Sequence, residues 1–482
     1  MHHRVEGLSM ARSRELSPNL RLEQLIVETE WASVGVLADR VNRLLRQAGS
    51  RRVIHRTTPY KWLRGHVPSG PVPALVVRAL SSALGRDLAF DDVWVHRGPT
   101  TVTEVIRAHE GLDHPWDNTG LQKLLKELDT VPTRRVVLAA TGTVLTALAW
   151  QSLAAPIPRL IVPNKPTTAV PQSALQIVDS LVASAQAADD AEGSSAKQTI
   201  SMSVPIIVKL LREGDYSPET GAHLARSLAQ ICQTLAFMHH EELAAGTSQR
   251  LYLMALRAAH AAGDHALVAS ILAHMSGQAA DHGQAADAVQ LAVTATAAAE
   301  HATPSVRALV AARKGIAHAS ARELDAFEAS IDDSNRFFEQ AALQVGAPSW
   351  ASHADRTELD AIAGRGLVLL AAKRTADPLI VLPRASELLQ ARAQTPLGGE
   401  HQRSALRHGA LYSLAQAQLG NLDTAVDAAE TALTRLPTVA STRSLMLLRE
   451  LSFVLDRHSA VYPRARAVVH EVQGHCQRLR LR

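Results

Sequence analysis

The sequence predicts an all-α protein: a small helical domain at the N-terminal end, then a long solenoid of paired helices. Three observations carry this. Aromatic residues are only 4% of the 482 residues while alanine is abundant, and small side chains let helices pack closely. Apolar residues recur at helical spacing through most of the chain. Toward the C-terminal end, glycine-centred turns are followed by alanines at fixed offsets. At this length two or more domains are expected.

Residues 1–18 read as a flexible arm, with Arg12 and Arg14 able to reach a nucleic acid. Asn19 to Trp31 reads as a first helix, with Leu20, Leu22, Leu25, Ile26 and Trp31 as its apolar surface. Ser33 to Gln47 is the second, Ser33 being its N-cap. Leu37, Val41, Leu44 and Leu45 form one face and Arg40, Arg43 and Arg46 largely another. Ala48-Gly49-Ser50 ends it.

The stretch that organises the rest follows. Arg40 to Arg64 carries eight basic residues and no acid, and after Asp39 the next acid is Asp87. Within it, Thr57-Thr58-Pro59-Tyr60-Lys61-Trp62-Leu63-Arg64-Gly65 has both a start and a stop. The threonines suit an N-cap, Pro59 a first turn, and Gly65 a left-handed terminating residue. A short capped helix with Lys61 and Arg64, preceded by an amphipathic helix, reads as the recognition helix of a helix-turn-helix. Val72 to Leu84 then supplies a core face of Leu75, Val76, Leu80 and Leu84, and Asp91 to Val95 closes the domain, which spans residues 19–97. Trp62 and Trp94 belong to its core rather than to base stacking.

Charge asymmetry supports a polyanionic partner. Residues 1–100 hold 15 Lys+Arg against 9 Asp+Glu, whereas residues 101–482 hold 35 against 37. Phosphate neutralisation needs a local excess of that kind. Thr57, Thr58, Tyr60 and Lys61 are the candidates for base-edge contacts, and Arg43, Arg46, Arg51, Arg52, Arg56 and Arg64 those for phosphate. A domain with so few base contacts calls for a dimer.

Residues 19–97, above all RTTPYKWLRGHVPSGPVPALVVRALSSALGRDLAFDDVW, resemble the N-terminal domain of actinobacterial NsdA-type regulators of differentiation and antibiotic production. The KWLRG core is also similar to the recognition-helix end of lambda-repressor-like domains. The resemblance implies a DNA-binding regulator of development or secondary metabolism in a Streptomyces-like setting, and a repressor.

Residues 98–172 read as a connector, with a Pro-Trp element at Asp113-His114-Pro115-Trp116-Asp117, an uncharged run at 136–155 and a proline-rich linker at 156–171. The run is long enough for a bilayer. Thr141, Thr143, Thr146, Gln151 and Ser152 make it only moderately apolar, which favours a buried segment over a span. Ala187 to Ser203 reads as a second flexible joint.

The region 173–482 reads as helical repeats. Gly420 is followed by Ala425, Ala429, Ala432 and Pro437, and Gly283 by Ala288, Ala292 and Ala295, with weaker copies near Gly263 and Arg322. The spacing resembles the second half of a tetratricopeptide repeat, in which alanines let the two helices close up and proline ends the second. Such arrays present a concave groove for a peptide, a protein partner or a second copy.

Enzyme chemistry is not expected. No phosphate-cradling loop, nucleophile elbow or paired-cysteine zinc signature occurs. His470 and His475 stand five apart, about 140° around a helix, with Gly474 interrupting it, so they fail the zinc-protease spacing. His239-His240-Glu241-Glu242 reads as a polar helix face. No cofactor and no metal is expected. Cys232 and Cys476 are too few and too distant for a disulfide framework. The opening residues lack an apolar signal core, so a cytoplasmic location is expected. The rival function is a repeat scaffold that binds proteins without specific DNA binding. A single-span membrane regulator is a third reading.

Overall fold

The structure is a computed structural model. It describes residues 19–29, 31, 33–47, 52–63, 66, 68, 72–84, 88, 93–94, 114–128, 142–158, 168–342, 347–351 and 354–479. Arg12, Arg14, Arg51, Arg64 and Gly65 lie outside these. The fold is all-α, and the chain divides into two compact units, 1–107 and 108–482.

In the first unit, α1 (Leu20–Glu28), α2 (Gly35–Gln47), α3 (Pro59–Leu63) and α4 (Val72–Leu84) surround one core. Leu22, Leu37, Val41, Leu45, Val76, Leu80 and Trp94 are fully buried there. Trp62 and Trp94 meet edge to face at 6.2 Å, as their burial from water demands. Asn19 joins three parts of the unit. Its side chain caps α1 by accepting from the Leu22 amide, its Nδ2 donates to the Val93 carbonyl, and its own amide donates to the Leu63 carbonyl. The start of the fold is thereby tied to the end of α3.

In the second unit, six antiparallel helix pairs follow one another. They are Pro218–Glu241 with Ala245–Ala261, His265–Asp281 with Ala285–Ala298, Pro304–Ala321 with Leu324–Ala341, Arg356–Ala372 with Pro378–Ala393, Gln402–Gln418 with Leu422–Arg435, and Thr442–Asp456 with Pro463–Arg478. This is an α-solenoid. The expected turn glycines Gly283 and Gly420 take positive φ, as does Gly263. At the equivalent places Leu243, Arg322 and Arg374 adopt the same left-handed conformation without being glycine, which is why those repeats are faint in the sequence. The spaced alanines Ala288, Ala292, Ala295, Ala425, Ala429 and Ala432 are all buried. A serine seven residues before the turn locks each of the two clear repeats. Ser276 Oγ donates to the Ala288 carbonyl at 2.8 Å and Ser413 Oγ to the Ala425 carbonyl at 2.6 Å.

Three expectations change. Residues 98–172 contribute two helices to the second unit. Asn118–Leu128 packs on Ser203–Glu213 and Ala245–Ala261, and Thr143–Ala154 on Ala285–Ala298, with Leu121, Leu124, Leu125, Leu145, Leu148 and Ala149 in the core. Trp116 lies under the Arg257 guanidinium at 4.5 Å and donates to Gln151 Oε1. The described part of the apolar run is a 12-residue helix, about 18 Å long against a hydrocarbon thickness of about 30 Å. Its low charge reflects contact with the solenoid. Among the described residues, no helix is long and apolar enough to cross a membrane.

Ala187 to Ser203 is a tight, helical corner rather than a flexible joint. The helix Gln172–Glu192 runs to Gly193, whose φ is 57°, and short helical turns follow directly. Gly474 does not interrupt its helix, which continues from Pro463 to Arg478; glycine costs a helix interior only about 1 kcal/mol, and the surrounding packing outweighs that.

The corner at Gly193 closes the solenoid upon itself. Gly193 bridges Ala440, Ser194 Oγ donates to the Ala440 carbonyl at 2.5 Å and Ser195 Oγ to that of Thr438. A side chain at 193 would meet Val439 at 3.1 Å, so the close approach needs glycine. The helix Gln172–Glu192 packs on both Pro218–Glu241 and Gln402–Gln418. The concave face is thereby narrowed to a pocket that remains partly open to solvent.

Candidate functional sites

The basic face of the first unit is built on α2. Gly35, Asp39, Arg43 and Arg46 recur at three- and four-residue intervals and so share one stripe. Arg56 reaches this stripe from the loop before α3, pairing with Asp39 at 3.1 Å. A side chain at Gly35 would meet the Arg56 guanidinium at 3.3 Å. That loop is held by a contact the sequence did not reveal. The buried Asn42 donates from Nδ2 to the Ile54 carbonyl at 2.8 Å and accepts the Ile54 amide at 2.7 Å. Asn42 therefore presents residues 52–58 beside the arginine stripe.

Arg43, Arg46, Arg52, Arg56, Thr57, Tyr60 and Lys61 are exposed, and Thr58 is half-buried. Arg51 and Arg64 lie outside the described residues. Two details differ from expectation. Arg56 is not unopposed, because Asp39 neutralises part of its charge. Thr57 does not cap α3 through its side chain; its hydroxyl bonds the His55 ring at 2.8 Å. The first bonds of α3 are backbone ones, Tyr60 to Thr57 and Lys61 to Thr58. Arg40 lies over the Trp31 ring at 5.0 Å, apart from the phosphate set.

The second site is the cavity of the closed solenoid, about 530 Å³. His240 and Glu241, expected on a solvated face, are buried beside it. Asp281 accepts from three arginines at once: Arg365 at 2.5 Å, Arg443 at 2.8 Å and Arg407 at 3.3 Å. Burial alone would raise its pKa, but those guanidiniums outweigh it and hold the carboxyl well below the usual range. Glu241 pairs with Arg443 at 2.5 Å and accepts from Ser441; its carboxyl is held at about 2, the arginines overcoming burial. His240 donates toward Asp281 at 3.1 Å, yet burial and then Arg443 push its pKa down to about 4. Arg403 pairs with Asp189 at 3.2 Å and stacks on Phe237 at 4.3 Å. This cluster has no local sequence signature, because its members come from six helices and meet only when the solenoid closes.

The first unit and the second thus define an all-α protein with a small basic unit joined to a closed helical-repeat unit. The family model described as the SP15 N-terminal domain matches residues 22–93. That match lies within the first unit and does not extend to the repeats. No curated protein matches the chain.

Proposed function

We propose that the protein is a non-enzymatic transcriptional regulator whose first unit binds double-stranded DNA. One observation carries the reading: exposed Arg43 and Arg46 share a stripe with the Arg56 anchor, beside the exposed Tyr60 and Lys61 of α3. In the major groove, Thr57, Tyr60 and Lys61 face base edges, with Thr58 contributing at the margin. Arg43, Arg46, Arg52 and Arg56, with Arg51 and Arg64 of the same basic run, contact phosphate. Two copies on half-sites about one helical turn apart supply the specificity that one short helix lacks. The NsdA-type resemblance adds repression of differentiation or secondary-metabolism genes in the cytoplasm.

The test is retention of genomic fragments by the full chain, followed by a salt titration on the best fragment. Each phosphate contact contributes about 0.9 to the slope of log K against log salt. Replacing Arg43 and Arg46 by Ala lowers that slope by about two and weakens all sequences alike. Lys61→Ala loses discrimination between sites. Exposed Val53 and Tyr60 favour the rival, a protein-contact surface on a repeat scaffold. Unchanged retention in both variants, or none in the wild type, would establish that rival instead.

A further inference from the structure

We infer that the cavity of the closed solenoid is a binding site for a small molecule bearing a carboxylate or phosphate group, taken up by Arg407 and Arg313.

The inference starts from a count of charges around Asp281. Arg365, Arg407 and Arg443 face two carboxylates, Asp281 and Glu241. Arg407 is the weakly satisfied one: only 8% exposed, it reaches Asp281 with Nη2 alone, and its Nε and Nη1 are buried without a partner. Leaving such donors unpaired is costly. Arg313 lines the same cavity, makes no ion pair among the described residues, and also has a buried, unpartnered Nη1. Of the acids that line the cavity, Glu400 is exposed and the buried or half-buried ones are already engaged. Asp189 is held by Arg403, Asp190 accepts the His401 amide, and Glu358 accepts from Ser404 and pairs with Arg392. Around the cavity, Arg313 Nη1, Arg403 Nε, Arg407 Nε and Nη1 and Arg443 Nε are buried without a hydrogen-bond partner, against the carboxylate oxygens Asp189 Oδ1 and Glu241 Oε1, and Glu241 Oε1 still pairs with Arg443 at 2.5 Å, so unpartnered donors outnumber unpartnered acceptors.

Size and lining choose the class of ligand. About 530 Å³ falls within the range of small-molecule sites. Planar guanidiniums match the oxygens of carboxylate and phosphate in pairs. Phe237, His274 and Trp350 line the same space and offer apolar surface to the remainder of the ligand. The site stands independently of DNA binding by the first unit.

The experiment uses the full chain with two probes, inorganic phosphate and citrate, in calorimetric titration and thermal unfolding. Sodium chloride at matched ionic strength is the control. Saturable binding of one probe at millimolar concentration or below, with chloride inert, is the expected result, and the probe that binds distinguishes phosphate from carboxylate recognition. Arg313→Gln breaks no ion pair among the described residues, and its fold is checked by the same thermal unfolding; it should weaken binding at least tenfold. Arg407→Lys keeps the charge near Asp281 but loses the fork, and should weaken binding comparably. Hydrogen exchange should slow at residues 402–410 on binding. Failure of both probes to saturate, equal effects of chloride, or wild-type affinity in folded Arg313→Gln would overturn the inference.

Discussion

Replacing Asn42 by Ala tests how the first unit displays its basic loop. In the wild type, the Asn42 carboxamide satisfies both backbone groups of Ile54, at 2.8 and 2.7 Å, from a side chain only 9% exposed. Alanine leaves a buried N–H and a buried C=O without partners, each costing about 1–3 kcal/mol. Relaxation and water entry recover part of this, so a loss of about 2–4 kcal/mol is expected. Measured as hydrogen exchange in the full chain, that is a roughly 30- to 1,000-fold acceleration across residues 52–58. Asn42→Asp keeps the acceptor for the Ile54 amide but loses the donor, and should accelerate exchange by roughly the square root of that factor. Because neither the arginines nor the threonines are altered, a fall in DNA affinity in Asn42→Ala would come from presentation rather than charge. Exchange across 52–58 within about threefold of wild type would refute the argument that Asn42 organises the loop.

Acidification provides a second prediction. His240 and His408 are buried with folded pKa values of about 4 and about 3, burial being the main cause, so the unfolded chain takes up protons first as pH falls below the ordinary histidine value. Stability is lost from about pH 6.5 downward, by up to about 1.4 kcal/mol per pH unit for each histidine. Asp189 works in the opposite sense: burial raises its folded pKa to about 6, so it adds stability as pH falls from 6 toward 4. The net expectation is a falling Tm between pH 6.5 and 4.5, with a shallower slope in His240→Gln; a flat profile would contradict it. Two glycines give a third, paired prediction. At Gly366 a new methyl would lie 2.3 Å from Phe327 Cε2, so Gly366→Ala should cost about 1–3 kcal/mol in denaturant unfolding. At Gly277, also within a helix, nothing lies within 4 Å, and Gly277→Ala should stabilise by about 0.5–1 kcal/mol. Equal effects at the two sites would show that packing around Phe327 does not decide the difference.

Local physics determined much of this protein from its sequence. Helical periodicity, a poverty of aromatics and the spaced alanines after Gly283 and Gly420 suffice for an all-α fold with paired helices, because a helix face and a tight interhelical contact are short-range patterns. The basic run Arg40 to Arg64 is likewise a local property, and so is the burial of Trp62 in a five-residue helix. The repeats whose turns are made by Leu243 and Arg374 were illegible and the one at Arg322 was only faint, since left-handed backbone at those residues has no residue-type signature.

Only the tertiary structure decided the rest. Arg56 meets Asp39, and Asn42 clamps Ile54, because the loop before α3 folds back on α2. The uncharged run near residue 150 became a solenoid-packing helix when its neighbours supplied an apolar surface. The arginine-lined cavity exists because Gly193 and Ser194 reach Ala440, nearly 250 residues away. Its charges are separated in sequence by whole repeats, and no periodicity links them. Gathering five arginines and as many carboxylates around one pocket is a property of closure, and closure is set by the summed rotation of successive helix pairs, which no single segment of sequence encodes.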